Sequence, residues 1–299
     1  MNYLDGFSGY GGFHLAFENA GWEFDKVYFS EIDKYAIANY RYNFPKSIYA
    51  GSINTICESG IITELDLFTF GWPCQDNSIA GKRKGQRAGT RSGLLYEAVK
   101  IINKFKPRNF VAENVLGLLS VNEGIDIIES IKILSYLNES CPQYDIEMQL
   151  LNTRWVLPQN RERLYFIGHI RGSGGRQILP ITENDRMASF SRFEKRGGQI
   201  PTGQIGWCVN KVASKCNLEQ DYISDYRGIR RLTPIENERQ QGLPDDWTKY
   251  GLFDGKIKEI SDTQRYMLCG NGVSEPIARL IAEKLKANEQ ATRRHPILH

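Results

Sequence analysis

Short apolar runs alternate with helically spaced stretches through the first 170 residues. "NYLDGFSG" reads as a strand breaking into a glycine loop, and "GFHLAFENAG" as a helix closed by Gly21. "KVYFSEID" is a second strand, followed by a helix around "KYAIANYRYNF" that Pro45 stops. "LDLFTFGWP" is an apolar strand ended by Pro73, and "RSGLLYEAVKIINKF" is a helix on Leu94, Leu95, Val99 and Ile102. "NFVAENV" is another strand after Pro107, and Ile127, Ile128, Ile131 and Leu134 mark one face of the next helix. "DIEMQLLN" and "RLYFIGHI" close the series. Such alternation predicts an α/β fold with a doubly wound, mostly parallel sheet. In that class ligands bind beyond the carboxyl ends of the strands, where "DGFSG", "SEID", "FGWPC" and "AENV" all fall.

From Arg171 the texture changes. "RGSGGRQ" and "EKRGGQIPTGQIGW" are glycine-rich and polar, which predicts a separate small module. Between Arg171 and Arg227 nine basic residues face six acidic ones, an excess equal to the net charge of +3 for the whole chain. That local bias suits a nucleic-acid partner, although it does not identify one. Order returns with "TPIENERQQ", which offers a threonine cap and an early glutamate, and with a terminal helix over residues 275–286.

Composition narrows the picture only modestly. A chain of 299 residues, 41% hydrophobic and 24% charged, is ordinary for a globular protein. No apolar run approaches the roughly 20 residues needed to cross a bilayer. The start, "MNYLDGFSGYGG", lacks signal-peptide regions, so a cytoplasmic protein without membrane association is expected. The six cysteines form no C-x-x-C pair and no ligand-like spacing with the four histidines, which predicts no metal site.

Candidate chemistry sits at the strand ends. "DGFSGYGG" would let a ligand approach the backbone at a helix N-terminus, yet it is not the G-x-G-x-x-G phosphate fingerprint. With Glu31 ending the second strand, it suggests a nucleoside-bearing cofactor without a pyrophosphate; the plain alternative is a tight turn beside a solvated glutamate. Glu113 in "ENV" is either a helix-capping residue or a site acid. Gln159, Arg161 and Arg163 recur at period two, either on a solvated strand edge or aimed together at a pocket. "CGNGVSEPIARLIA" puts Asn271 and two glycines before a helix, which a simple turn would also explain. Cys74 follows Pro73 directly and on its own reads as a buried structural thiol. The segment behind it carries Lys82, Arg83, Lys84, Arg87 and Arg91 among glycines and, from Asn77 to Leu95, no acid.

Order along the chain is more informative than any single motif. "DGFSGYGG", "SEID", "GWPCQ", "RSGLL", "AENV", "QNRERLYFIG", "RRLTPIENERQQGLPDDW" and "GNGV" span nearly the whole sequence. In this order the series closely resembles the C5-cytosine DNA methyltransferases of the bacterial and phage type. The resemblance implies an S-adenosylmethionine-dependent methyltransferase fold, a doubly wound mixed, mostly parallel sheet. Residues 1–170 plus 265–299 would be catalytic, and 171–264 an inserted target-recognition domain and hinge. It implies transfer of a methyl group to C5 of a flipped-out cytosine in a specific duplex sequence. Cys74 would be the nucleophile adding to C6, and Glu113 a proton-bearing carboxyl at N3, which burial would favour. Arg161 and Arg163 would stand near the base carbonyl.

The cofactor, S-adenosyl-L-methionine, would contact Phe7, Gly9, Gly11, Glu31, Ile32, Ser52, Ile53, Pro73, Leu94 and Asn271. DNA would meet Ser78, Lys82, Arg83 and Arg91 on a basic loop that closes over it. A monomer acting on double-stranded DNA is implied, with a restriction endonuclease as a candidate functional partner. Three departures stand out: Ser52 replaces an aspartate beside the adenine amine, Asn77 an apolar residue, and Gly272 a serine or alanine. The last is expected to matter little. Two alternatives remain: a transfer RNA cytosine methyltransferase, whose eukaryotic Cys-Phe-Thr tripeptide is absent here, and a catalytically silent DNA-binding relative.

Overall fold

A computed structural model of the chain describes residues 1–72, 93–173, 177–182, 184–185, 222–225 and 228–294. Pro73, Cys74, Ser78, Lys82, Arg83 and Arg91 therefore lie outside the described residues, as does the middle of the expected recognition domain.

Strand β1 (Asn2–Gly6) ends where Phe7, Gly9 and Gly11 all take left-handed backbone, at φ 52°, 54° and 83°. Helix α1 (Gly12–Asn19) starts at once behind that turn. β2 (Lys26–Ser30) leads into α2 (Lys34–Asn43), whose first N–H groups are capped by the Asp33 carboxylate. β3 (Ile48–Tyr49), the single turn α3 (Ile56–Ser59) and β4 (Leu67–Gly71) follow. Next come α4 (Leu94–Phe105), β5 (Asn109–Val115), α5 (Ile125–Tyr136), β6 (Tyr144–Asn152) and β7 (Glu162–Ile170).

These strands form a seven-stranded sheet in the order β3-β2-β1-β4-β5-β7-β6. β7 alone runs against its neighbours; all other pairings are parallel. The carboxyl ends of β1, β2, β4 and β5 therefore share one edge, as the sequence predicts.

Alternation along each strand sorts its side chains to two faces. Leu4, Phe68 and Phe110 pack with α4 and α5, while Tyr3, Leu67 and Val111 pack with α1 and the terminal helix. Burying each large apolar side chain contributes about 1.5–3 kcal/mol, so this two-sided core fixes the edge on which the site is built.

The remainder returns to the same sheet. Ile178, Leu179 and Ile181 enter the core, with the N–H groups of Ile178 and Leu179 bound to Glu147 and that of Ile181 to Gln149. β8 (Tyr222–Asp225) and β9 (Gly228–Arg231) pair as a hairpin. Beyond it, α6 (Pro234–Gln240) begins on the predicted capping box of Thr233 and Glu236. A second hairpin, β10 (Tyr250–Phe253) and β11 (Lys256–Glu259), precedes α7 (Asp262–Asn271) and α8 (Glu275–Arg294). Leu243 and Ile260 share a buried cluster with Tyr10, Phe29 and Tyr40. Residues 177–182 and 232–260, which the resemblance placed in the insertion, thus contribute apolar side chains to clusters shared with the seven-stranded sheet. Among the described residues no helix is long and apolar enough to cross a membrane.

Candidate active site

Glu113 is the last but two residue of β5, and its carboxylate lies at the shared edge. Burial is as expected, since the residue is only 9% exposed. Its partner is less expected: Arg163 Nε stands 3.0 Å from Glu113 Oε1. Arg163, the second residue of β7, lies opposite Val115, two positions along the ladder from Glu113, so the antiparallel register itself brings the two together. The Tyr165 phenol, paired directly with Glu113, is pushed up first by burial and then by that carboxylate. Gly71 pairs with Glu113 from β4, and a Cβ there would come within 3.1 Å of Oε2. Next to it, Asn114 Nδ2 donates to the Trp72 carbonyl at 3.2 Å. The chain thus leaves the described residues at Trp72, beside Glu113 and two positions short of Cys74.

Arg161 does not share this arrangement. It precedes β7, is 3% exposed, and donates from Nη2 to the Gly272 carbonyl at 2.7 Å and to that of Gly270 at 3.3 Å. Gln159 is fully buried, with neither amide atom partnered among the described residues. Of the period-two residues Gln159, Arg161 and Arg163, only Arg163 lies in β7; it reaches Glu113, and Arg161 reaches the Gly270 and Gly272 carbonyls.

At the other end of the edge, Gly9 and Gly11 form the turn behind β1. A Cβ on Gly9 would meet open space, whereas one on Gly11 would strike the Phe44 ring at 2.4 Å. Glu31 binds this turn: its Oε2 accepts from Gly9 N at 2.9 Å, and its Oε1 from Ile32 N at 2.7 Å and Asp33 N at 3.0 Å. Oε1 is saturated by its two N–H donors, and Oε2 retains one lone pair for a hydroxyl donor. Ile32, next in sequence, leaves its apolar side chain 78% exposed. The Ser8 hydroxyl is buried and has no hydrogen-bond partner among the described residues, and this orphaned group beside Gly9 fits a polar ligand at the turn.

Ser52 caps the short turn after β3, with only a 3.5 Å contact from Asn54 N to its Oγ. Ile53 is a core residue lying 3.3 Å from the Cβ that Gly6 lacks, and Phe7 and Leu94 pack against the same cluster. Underneath, Asp5 is fully buried and accepts from Thr69 Oγ1 at 3.2 Å and Tyr40 Oη at 3.4 Å. Burial raises its carboxyl well above the usual range, against the smaller pull of those hydrogen bonds.

Asn271 reaches this edge because its turn is packed onto the glycine turn. The Tyr10 hydroxyl donates to the Val273 carbonyl, and Gln241 Nε2 donates to that of Cys269 at 2.9 Å. A Cβ on Gly272 would lie 1.8 Å from the Tyr10 ring. The substitution expected to matter little is therefore the one that makes room for Tyr10.

A family model described as C-5 cytosine-specific DNA methylase matches residues 1–188 and 181–287. The chain belongs to that family. It is 29% identical to the type II methyltransferase M.NlaX of Neisseria lactamica, over 95% of this chain and 96% of that one. It is 32% identical to M.HaeII of Haemophilus aegyptius, over 97% and 95% of the two chains. Among solved structures, the Dnmt2 methyltransferase of S. pombe superposes with a TM-score of 0.66 at 18% identity, over 96% of this chain and 99% of that one, a likeness of fold.

The protein is thus an enzyme, a DNA (cytosine-5-)-methyltransferase, on a mostly parallel α/β sheet. In this methyltransferase two of the described cysteines, Cys269 and Cys57, are poor nucleophile candidates. The Cys269 thiol is pushed up strongly by burial and Cys57 more modestly by the same cause, while Cys141 is exposed in the turn before β6. Sequence reasoning missed Tyr10, Gly71 and Gln241, because none belongs to a residue type that signals chemistry by itself.

Proposed function

We propose that this methyltransferase acts on a cytosine flipped out of a specific duplex DNA sequence, with Cys74 as nucleophile and S-adenosylmethionine as methyl donor. The observation that carries the reading is the Glu113–Arg163 pair, set beside the exit of β4 toward Cys74 and on the same sheet edge as the glycine turn.

Carbon 5 of cytosine is a weak nucleophile. Addition of the Cys74 thiolate to carbon 6 converts the ring to an enamine that is nucleophilic at carbon 5. Glu113 would hold a proton against N3 while the thiolate adds, offsetting the charge that builds on the ring, and take that proton back fully when the thiolate is eliminated. Arg163 orients Glu113 in the free enzyme and in the complex stands by to stabilise the thiolate and the base carbonyl. Glu31, Gly9, Gly11 and Ser8 would hold the nucleoside and amino-acid ends of the cofactor, Ile32 its adenine face, and Phe7, Ser52, Pro73, Leu94 and Asn271 the remaining walls. S-adenosylmethionine bound there supplies the methyl group to carbon 5. Loss of the C5 proton and β-elimination of the thiolate then free Cys74.

Ser78, Lys82, Arg83 and Arg91 are proposed as DNA contacts from sequence alone. The target-recognition module is proposed to lie within 171–264, between the parts packed on the sheet. The same reading has the enzyme as a cytoplasmic monomer, paired in function with a restriction endonuclease.

The direct test is transfer of label from S-adenosylmethionine to duplex DNA and, in parallel, to transfer RNA. Label on cytosine C5 in DNA is expected. The Cys74→Ala variant should lose turnover at least 1,000-fold by order of magnitude while keeping DNA affinity within about threefold. Label appearing only in RNA, or turnover surviving in the variant, would overturn the proposal.

A further inference from the structure

Four of the five carbonyls from Cys269 to Val273 are held by side chains from three distant segments. Arg161, ahead of β7, spans the Gly270 and Gly272 carbonyls, reaching the latter at 2.7 Å. Gln241, just past α6, donates to Cys269 at 2.9 Å, and Tyr10, inside the glycine turn, donates to Val273. These bonds bracket Asn271 without using it.

Close packing reinforces them. A Cβ on Gly12 would come within 2.8 Å of the Val273 carbonyl, and one on Gly272 would overlap the Tyr10 ring. Tyr10 is fully buried, and burial, then Cys269, keeps its phenol protonated and donating.

We propose that Tyr10, Gln241 and Arg161 act as positioning residues that lock the Cys269–Val273 turn to the glycine turn and so fix the two walls of the cofactor pocket. The proposal rests on the reading of that edge as an S-adenosylmethionine site. It gives Arg161 a task apart from Arg163: one arginine sets the base side, and the other connects β7 to the cofactor side. It also makes Tyr10 and Gly272 one unit, since ring and Cβ compete for the same space. A side chain at position 272 demands a smaller residue at position 10.

The test is calorimetric binding of S-adenosylhomocysteine to the full chain, alongside thermal melting and DNA affinity. Tyr10→Phe keeps the ring and removes the hydroxyl; Gln241→Met keeps the volume and removes the donor. Each should weaken binding roughly 3- to 10-fold, the range that one hydrogen bond supports, with DNA affinity unchanged. Gly272→Ala should weaken it at least about 10-fold, and adding Tyr10→Leu should restore part of the loss. Arg161→Lys should raise KM for the methyl donor more than KM for DNA.

Unchanged cofactor affinity in Tyr10→Phe and Gln241→Met, or lowered melting temperature with affinity intact, would overturn the clamp. So would an Arg161→Lys variant that loses base engagement while binding S-adenosylhomocysteine normally. Failure of the unaltered enzyme to bind S-adenosylhomocysteine is a different result: it would remove the cofactor reading itself.

Discussion

A methyl group on Gly71 would sit 3.1 Å from Glu113 Oε2, a contact that only a shift of a few tenths of an ångström can relieve. The carboxylate is held from the other side by Arg163 at 3.0 Å, so the displacement falls on the atoms that would face the base. Gly71→Ala is expected to lower kcat by about 10-fold, because small misplacements of catalytic groups cost rate steeply. Its melting temperature should stay near that of the unaltered enzyme, which steady-state kinetics with a parallel thermal scan would check. Unchanged kcat would mean that Glu113 has room to adjust. At this scale the motif residues were readable: Glu113, Arg163, Glu31 and the glycines all reach the predicted edge. Tyr10 and Gly272 were not, because their contact joins residues more than 250 positions apart and neither side chain signals chemistry. Arg161 stood out in the sequence, but its contacts to the Gly270 and Gly272 carbonyls were not legible there. Period two describes an extended segment, and Arg161 lies ahead of the strand.

Elements around the site are joined by buried charge as well as apolar packing. Glu238 of α6 is fully buried, and Arg265 of α7 reaches its Oε1 at 2.9 Å and Asp246 at 3.2 Å, while Thr248 N also donates to Glu238 Oε1 at 2.9 Å. α7 carries the Cys269–Asn271 end of the cofactor turn, so this network sets where that turn begins. Arg265→Met strands a buried carboxylate and should destabilise the protein by about 3–5 kcal/mol in urea unfolding, with part of the loss recovered by adding Glu238→Gln. A loss below about 1 kcal/mol would show that the pair is dispensable.

Helix periodicity and the Thr233–Glu236 capping box made most elements legible in advance. Strand direction was not, because alternation is the same whichever way β7 runs. The β10–β11 hairpin also escaped notice, although Asp254-Gly255 at its tip, with φ of 49° and 76°, is the turn chemistry such hairpins use.

Across the whole molecule, one edge of one sheet gathers the described residues to which the proposed reaction is assigned. The glycine turn, Glu31, the Glu113–Arg163 pair and the Asn271 turn come from both ends of the chain. Composition located a change of texture at Arg171 but could not see that residues 177–182 and 232–260 fold back onto the sheet. Their apolar side chains are few, and only the tertiary partner shows which way they face.

The most direct test uses duplex DNA with 5-fluorocytosine at the target position, incubated with labelled S-adenosylmethionine and resolved on a denaturing gel. Fluorine cannot leave as the C5 proton does, so attack through Cys74 ends in a trapped enzyme. The account predicts a stable labelled protein–DNA adduct that disappears in Cys74→Ser. An adduct that persists in Cys74→Ser, or none on DNA that the enzyme demonstrably methylates, would contradict the assignment of Cys74 as nucleophile.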